Sequence, residues 1–516
     1  MIAHIHSWHE SVKAFCHPRV VTMLFFGIAA GLPLLLIFSS LSLWLREAGV
    51  DRAAVTFFSW AALGYSFKFV WAPLVDVIPL PILTRKLGRR RAWLLLSQLM
   101  IVFSILFMAM IDPASEGLTI MALAAVLLGF SSATQDVVID AYRIESAEPD
   151  LQAMMSASYI AGYRIGMLMA GAGALFLASF FGTSIDNYDA SAWQMAYGVM
   201  ASLMLIGIIT TLMIDEPVVN RSHEVRQARD YLGLFFTFVV AVSGFIAVFA
   251  TSIDLAVYLK QLLATFLNNA AFAAIVIESC RLAMGFMVAI VLARWCLRFE
   301  WINADLLKRS YVAPIQDFFQ RYGWSLAWLL LALVGLYRIS DIVLGVIANV
   351  FYQDMGFTKP QIATVVKSFG LAMTIVGGFM GGLLAVRFGV IRILMLGAIL
   401  SAATNLLFML LAGMGNELWM LYVVISADNL SAGLASAAFI AFLSSLTNVS
   451  FTAVQYAIFS SLMTLLPKLL GGYSGGMVEA IGYQQFFLLT AIIGLPVLLL
   501  IIAAGKRFNL EHHEPS

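Results

Sequence analysis

Charge and cysteine are scarce in this sequence. Only 11% of the 516 residues are charged, and 30 Lys and Arg against 29 Asp and Glu leave a net charge of +1. Because positive and negative charges are nearly equal in number, the chain has no overall positive potential to attract nucleic acid. We therefore expect no nucleic-acid partner. The three cysteines lack CxxC spacing, which argues against a disulfide framework or a zinc site. We expect neither a metal nor a cofactor.

Apolar residues are abundant instead. They make up 62% of the chain, with a mean hydropathy of +0.93, well above the composition of soluble proteins. The lipid bilayer is therefore the expected solvent, and a helix needs about 20 apolar residues to cross it. The first apolar run, from Val21 to Trp44, exceeds the ~7–15 residues of a signal-peptide core, so we expect it to be retained as a span.

This window length finds fourteen candidate spans. Six form an N-terminal bundle (21–214), at 21–45, 54–76, 92–112, 118–146, 155–181 and 193–214. Two extra spans (231–298), at 231–257 and 268–298, precede a linker (299–324) whose aromatic and charged residues indicate amphipathic helices on the cytoplasmic side. Six form a C-terminal bundle (325–505), at 325–354, 361–386, 390–413, 418–446, 451–477 and 482–505. Residues 1–20 and 506–516 are expected to be tails.

The distribution of cations supports an even number of spans. With fourteen spans, about twenty Lys and Arg residues lie on one side and only about four on the other. The positive-inside rule then places both termini in the cytoplasm. A shift by one span would scatter the charges over both sides.

The two bundles are related as repeats. Both carry a similar string where the first span ends and the second begins, "REAGVDRAAV" at 46–55 and "QDMGFTKPQI" at 353–362. In this alignment Gly49 matches Gly356, and the loop from Asp76 to Arg89 has a weaker counterpart in the second half. We interpret Asp76 and Arg89 as gate residues. Parallel repeats predict an all-α membrane protein with the major facilitator superfamily fold.

Several ionisable residues fall inside the first bundle, where they usually face a cavity or one another. Asp136 and Asp140 share a helix face, and Arg143 follows three residues later. Counting along the helices places Arg164 at the depth of Asp136, and Lys68 close to the same face, so we expect an ion-pair network. The two acids are candidate proton carriers and the cations candidate gate partners. The alternative is that Asp140 and Arg143 form a static latch.

The second bundle contains Arg338, Asp341, Lys367 and Asp428. Counting residues along the spans places Asp341 and Asp428 near the bilayer midplane. The first and fourth helices of each bundle are expected to line a cavity there. A carboxylate in such a cavity can bind a proton reversibly, whereas pairing with Arg338 or Lys367 would keep it charged. We expect one of the acids to carry a proton and another to form a structural ion pair.

Seven strings resemble one known family. They are "FGIAAGLPLLL" (26–36), "YSFKFVWAPLVD" (65–76), "GRRRAWLL" (88–95), "SATQDVVIDAYR" (132–143), "GYRIGML" (162–168), "LYRISD" (336–341) and "SFTAVQYAIFSS" (450–461). Together they resemble the AmpG muropeptide permeases of Gram-negative bacteria. The resemblance implies proton-driven import of N-acetylglucosaminyl-anhydromuramyl peptides through the inner membrane for wall recycling, and a link to β-lactamase induction. One departure is a long gate loop, "VIPLPILTRKL", at 77–87.

A disaccharide-peptide presents hydroxyls, acetamides and carboxylates, so its site should combine aromatic rings, amides and a cation. The candidate rings and amides are Trp44, Trp60, Tyr65, Tyr337, Gln135, Asn349, Asn405, Asn429 and Gln455. Aromatic residues in spans are often packing residues, so we expect only part of this set in the site. Muropeptide, protons and the bilayer are the expected partners of a monomer.

Two other functions compete with this interpretation. A related branch carries acetyl-CoA in eukaryotes, so facilitator transport of another solute is the first rival. A membrane-embedded enzyme acting on lipid-linked wall precursors is the second. The sequence contains no HExxH, no GxSxG and no acidic metal cluster, so we predict no enzymatic activity.

Overall fold

The computed structural model describes residues 16–50, 63–115, 117–184, 187–218, 228–267, 270–358, 361–471 and 474–511. Every regular element in these ranges is helical. Twelve helical stretches within them are long and apolar enough to cross a membrane, and each overlaps a predicted span. Of the other two predictions, 54–76 begins outside the described residues, and its described part holds the short helices Leu63–Phe67 and Ala72–Val77. The prediction 451–477 overlaps the shorter apolar helix Val449–Leu465.

The helices of the first half are α1 (Pro18–Ile37), α2 (Ser39–Glu47), α3 (Leu63–Phe67), α4 (Ala72–Val77), α5 (Leu83–Leu87), α6 (Arg89–Ala109), α7 (Leu118–Ser146), α8 (Pro149–Leu168), α9 (Ala174–Phe180), α10 (Ala190–Leu203) and α11 (Leu205–Met213). A 3₁₀ turn at Lys68–Val70 joins α3 to α4, and a π-helical turn at Met169–Gly173 joins α8 to α9. The central helices are α12 (Ala228–Thr251), α13 (Ile253–Leu267), α14 (Ala270–Arg298) and α15 (Ala304–Leu307).

The second half begins with α16 (Ala313–Leu336), which is broken at Gly323, where φ is 65°. It continues with α17 (Ile339–Asp354), α18 (Gly370–Phe388), α19 (Val390–Met414), α20 (Leu418–Leu446), α21 (Thr452–Gly471) and α22 (Ser474–Glu511). A π-helical segment at Ile362–Phe369 leads into α18.

By their contacts, the residues form two compact units. The larger unit combines the helices of both halves, and the smaller comprises residues 76–78 and 220–318. Within the smaller unit, Arg281 of α14 donates to Glu278 Oε1 at 2.9 Å, to the Phe249 carbonyl at 2.8 Å and to Ser252 Oγ at 3.0 Å. Lys260 of α13 also pairs with Glu278. These bonds tie α12, α13 and α14 together.

The repeat seen in the sequence is also present in the backbone. Gly49 and Gly356 have φ values of 81° and 83°. In each half the glycine N–H bonds the carbonyl three residues earlier, and the next N–H bonds the carbonyl five residues before it. This helix ending needs a left-handed residue, which glycine adopts without a Cβ penalty. Gly88 and Gly389 also match, because each has a φ of 87° and directly precedes a helix.

The ends of the helices in the larger unit define two faces. We call the face where α1, α6, α8 and α21 begin and where α7, α18 and α20 end the N-terminal face, and the other the distal face. Helices α1 and α8 run in parallel between them at very short separation. A Cβ added to Gly162 would lie 2.0 Å from the Leu24 carbonyl oxygen, and one added to Gly27 would lie 2.2 Å from that of Tyr159. Such close backbone packing is a main source of helix association in lipid.

We expect Gly162→Val to force α1 and α8 apart, because the new side chain would overlap backbone atoms that cannot rotate away. Overpacking of this kind costs about 1–3 kcal/mol, so the unfolding temperature of the purified protein should fall by about 1–3 °C. The matched control is Gly198→Val in α10, where an added Cβ meets nothing within 4 Å. Equal unfolding temperatures for the two variants would contradict the close contact.

Candidate functional site

The two halves meet near the N-terminal face, mainly through α8 with α18 and α20, and through α7 with α21. Ala157 and Ile160 of α8 pack with Ala437 of α20 in a small apolar cluster. A Cβ on Gly382 of α18 would lie 2.8 Å from the Cβ of Ala157. Small residues allow this approach. The space between the halves is therefore closed at this level.

Arg143 is the centre of the polar contact between the halves. Its guanidinium is fully buried, and Nη1 donates to Ser444 Oγ of α20 at 2.7 Å and to Ser156 Oγ of α8 at 3.1 Å. Nη2 donates to Asp140 Oδ1 at 3.3 Å, and the group lies 5.1 Å from the ring centre of Tyr456. Burying a guanidinium costs several kcal/mol, which these contacts offset. Ser444 and Tyr456 belong to the second half. The cost of burying the guanidinium is therefore offset fully only when the two halves are in contact.

Asp140 and Asp136 complete a charge cluster within the first half. Lys68 Nζ lies 3.7 Å from Asp140 Oδ2. Asp136, one helical turn earlier, accepts a hydrogen bond from the Tyr159 hydroxyl at 3.4 Å and is within electrostatic range of Lys68. Two cations and two anions give this cluster no net charge. It can therefore stay intact when the halves separate, apart from the contacts of Arg143 to the second half.

Glu145 makes a second bridge at the N-terminal face. Arg90 Nε donates to Glu145 Oε2 at 2.9 Å, and the two side chains are 1% and 2% exposed. The Thr452 hydroxyl, at the start of α21, also donates to Glu145. Arg90, the neighbour of the predicted gate residue Arg89, is thus the arginine that pairs with Glu145.

On the distal side of the apolar cluster, the second half presents a partly exposed group of charges. Arg338 Nη1 donates to Ser436 Oγ at 2.7 Å, and Nη2 lies 3.6 Å from Asp341 Oδ2. The side chains of Arg338 and Asp341 are 24% and 16% exposed. Asp341 also accepts a hydrogen bond from Ser401, and partly exposed Asp428 accepts one from a threonine hydroxyl at 3.4 Å. With one cation and two anions, this cluster has a net charge of −1.

Arg164 of α8 lies at the same level from the opposite half. It follows Ile160 of the apolar cluster by one helical turn and is within electrostatic range of Arg338. The expected ion pair with Asp136 is not among the contacts of the described residues, and Arg164 has no hydrogen-bond or ion-pair partner among them. Counting residues along a helix gives the depth of a side chain but not its direction around the axis. Arg164 therefore faces the second half instead of α7.

Comparison with known proteins identifies the family. Residues 10–310 and 318–515 match the family model described as Major Facilitator Superfamily. The chain belongs to this superfamily. The crystal structure of the human organic anion transporter MFSD10 shares the facilitator fold, with a TM-score of 0.56 at 14% identity over 94% of this chain and 99% of that one.

Two relatives narrow the resemblance within the facilitators. Putative transporter AmpG 4 of Rickettsia conorii is 29% identical over 498 residues, which cover 96% of this chain and 99% of the relative. The anhydromuropeptide permease of Escherichia coli is 29% identical over 504 residues, which cover 98% of this chain and 82% of the relative. The predicted fold, the AmpG resemblance and the interpretation as a transporter and not an enzyme are thereby confirmed.

Four predicted substrate contacts are packed inside the facilitator bundles instead. Trp44 is fully buried and stacks on another tryptophan at 5.6 Å. The Tyr337 hydroxyl donates to a backbone carbonyl at 3.0 Å, and Asn405 donates to two hydroxyls at 2.7 and 3.1 Å. Gln455, near the N-terminal face, accepts from an arginine at 3.0 Å and from a backbone N–H at 2.7 Å. Apart from Asn405 Oδ1, which is buried without a partner among the described residues, their hydrogen bonds and stacking are satisfied within the protein.

Three others differ in their surroundings. Tyr65 is partly buried and donates to Ser132 Oγ at 2.6 Å. Asn429 is also partly buried and accepts from Thr374 at 2.8 Å. Gln135 is fully buried, and neither its amide oxygen nor its nitrogen has a partner among the described residues. Unpaired buried amide groups cost about 1–3 kcal/mol, so Gln135 is poorly satisfied in this state.

Of the remaining predicted residues, the side chains of two are described and those of two are not. Lys367 is exposed on the π-helical segment before α18. Asp76 is buried at the end of α4. Trp60 lies outside the described residues, and so does the side chain of Asn349.

The residues that sequence reasoning missed lie mostly in strings it had already noted. Thr452 and Tyr456 fall within "SFTAVQYAIFSS", and Glu145 ends the helix that carries Asp140 and Arg143. Glu145 was detectable as an acid near the end of a span, two residues after Arg143. The serine partners Ser436 and Ser444 give no such signal, because serine is common in membrane helices as a packing residue.

Proposed function

We propose that the protein is a proton-coupled importer that carries anhydromuropeptides from the periplasm to the cytoplasm across the Gram-negative inner membrane. The single observation that carries this proposal is the partly exposed group of Arg338, Asp341 and Asp428, with Arg164 opposite, directly beside a closed contact between the halves. A polar site between two halves, shut toward one face, is what alternating access requires. The name of the Escherichia coli relative supplies the substrate class.

The distribution of cations supports the orientation of the protein in the membrane. The arginine-rich segment at 85–91, Arg387, Arg392 and Lys506 lie at helix ends on the N-terminal face. By the positive-inside rule that face is cytoplasmic, as are both termini. The structure then corresponds to a state closed to the cytoplasm. Opening toward the cytoplasm breaks the contacts that Arg143 makes with Ser444 and Tyr456.

Asp341 and Asp428 are the proposed proton carriers. Both lie in the second half, close enough for their charges to interact, and within that half Arg338 balances only one of the two charges. Binding one proton removes the repulsion between the two carboxylates. Asp136 and Asp140 have two cations beside them, so we assign their cluster to the cytoplasmic gate.

Uptake competition tests the substrate assignment against facilitator transport of another solute. Cells that lack their own muropeptide permease and express this protein are expected to accumulate labelled anhydromuropeptide. An excess of unlabelled anhydromuropeptide should abolish the signal, and the same excess of acetyl-CoA should leave it unchanged. Inhibition by acetyl-CoA alone would assign the protein to the rival substrate class.

A further inference from the structure

We propose that Arg164 and Arg338 together bind a carboxylate of the substrate, and that this carboxylate enters with a proton taken up by Asp341 or Asp428. The inference rests on the proposed transport function and adds the group of the substrate that is recognised. It also gives a physical reason for coupling between substrate and proton.

The placement of the two arginines follows from the apolar cluster. Arg164 stands one turn distal to Ile160 on α8, and Ile160 packs with Ala437. Arg338 donates to Ser436, the residue next to Ala437. Both guanidinium groups are therefore directly distal to the same contact, one from each half, and their charges interact. A ligand lying there would touch both halves at once.

The two guanidinium groups also have unused donors. Arg164 has no hydrogen-bond or ion-pair partner among the described residues. Arg338 Nε is buried and has no partner within the described ranges, and the 3.6 Å from Nη2 to Asp341 exceeds hydrogen-bond distance. Two facing cations repel each other in a medium of low dielectric constant unless an anion lies between them. A carboxylate is the anion that matches the planar donors of arginine.

Charge balance links the carboxylate to a proton. Arg164 and Arg338 together neutralise Asp341 and Asp428 in the empty site. A bound carboxylate would leave one negative charge in surroundings where an uncompensated charge is costly. A proton on either aspartate restores neutrality and weakens the hold of that aspartate on Arg338. The substrate carboxylate and the proton on an aspartate therefore bind more tightly together than either binds alone.

Binding to the purified full-length protein tests this inference. The two ligands are an anhydromuramyl peptide with free stem carboxylates and the same peptide with those carboxylates amidated. The wild type should bind the acid at least about tenfold more tightly than the amide, with proton uptake from a weakly buffered solution for the acid only. Arg164→Gln should bind the peptide with free carboxylates about tenfold more weakly than the wild type does. Its affinity for the amidated peptide should stay within about twofold of the wild-type value. Arg164→Lys should retain part of the preference.

The outcomes separate this inference from the proposed function. Equal weakening of both ligands by Arg164→Gln would mean that Arg164 acts on the structure and would overturn the carboxylate site alone. A wild type without preference for the acid would do the same. A wild type that binds neither peptide would contradict the proposed function itself, and the inference with it. Unfolding temperatures of the variants without ligand show whether each one is folded.

Discussion

Replacing Arg143 with glutamine is expected to open the N-terminal face and to reduce transport strongly. The substitution removes the charge that Asp140 balances and weakens the bond to Ser444 that joins the halves. Breaking a buried ion pair costs about 3–5 kcal/mol. If only about 1.4 kcal/mol of this applies to closure, the ratio of closed to open molecules falls tenfold.

Disulfide formation between Ala157→Cys and Ala437→Cys measures closure, because these residues pack together only when the halves are in contact. Cys16, Cys280 and Cys296 are free thiols and must be replaced first. We expect the crosslinking rate to fall at least about tenfold in the Arg143→Gln background.

Arg91→Gln is the matched control, since Arg91 lies at the same face but its guanidinium donates, among the described residues, to carbonyls of its own half at 3.0 and 2.8 Å. Its crosslinking rate should equal that of the parent protein. Equal rates for the Arg143 and Arg91 variants would show that Arg143 does not hold the face closed.

Asp341→Asn is expected to abolish accumulation of substrate driven by a proton gradient. Asparagine keeps the shape and can still accept a hydrogen bond from Ser401, but it carries no proton and its charge is fixed at zero. Exchange of labelled for unlabelled substrate across the membrane should continue, because exchange needs no net proton movement. The measurement is the ratio of accumulation to exchange in cells or vesicles.

Glu417→Gln is the control for Asp341→Asn, since Glu417 is an exposed acid at the start of α20. Both its accumulation and its exchange should match the wild type. Undiminished accumulation by Asp341→Asn would remove Asp341 from the coupling mechanism and leave Asp428 as the candidate.

The sequence predicts the helical membrane architecture well, because long apolar runs and the distribution of cations are properties of single segments. The match of Gly49 with Gly356 was also readable, since a left-handed helix ending restricts the residue type strongly. The clustering of Lys68, Asp140 and Arg143 followed from helix periodicity and depth. Local rules were sufficient for each of these features.

Contacts between the halves were not readable from the sequence. Glu145 and Thr452 are separated by 307 positions, and nothing in either segment indicates the other. Arg164 was expected to pair with Asp136 but lies within electrostatic range of Arg338, because a residue count along a helix does not fix rotation about its axis. Trp44 was assigned to the substrate because a ring can stack on a sugar, but the same ring packs equally well in a core.

Transport by the purified protein in sealed liposomes is the most direct test of a site that alternates between two faces and couples a carboxylate-bearing muropeptide to protons. With an imposed pH gradient, labelled anhydromuropeptide should accumulate on the alkaline side above its concentration on the acidic side, and a protonophore should abolish the excess. Uptake that stops at equal concentrations with or without the gradient would contradict proton coupling. No uptake under either condition would contradict muropeptide transport.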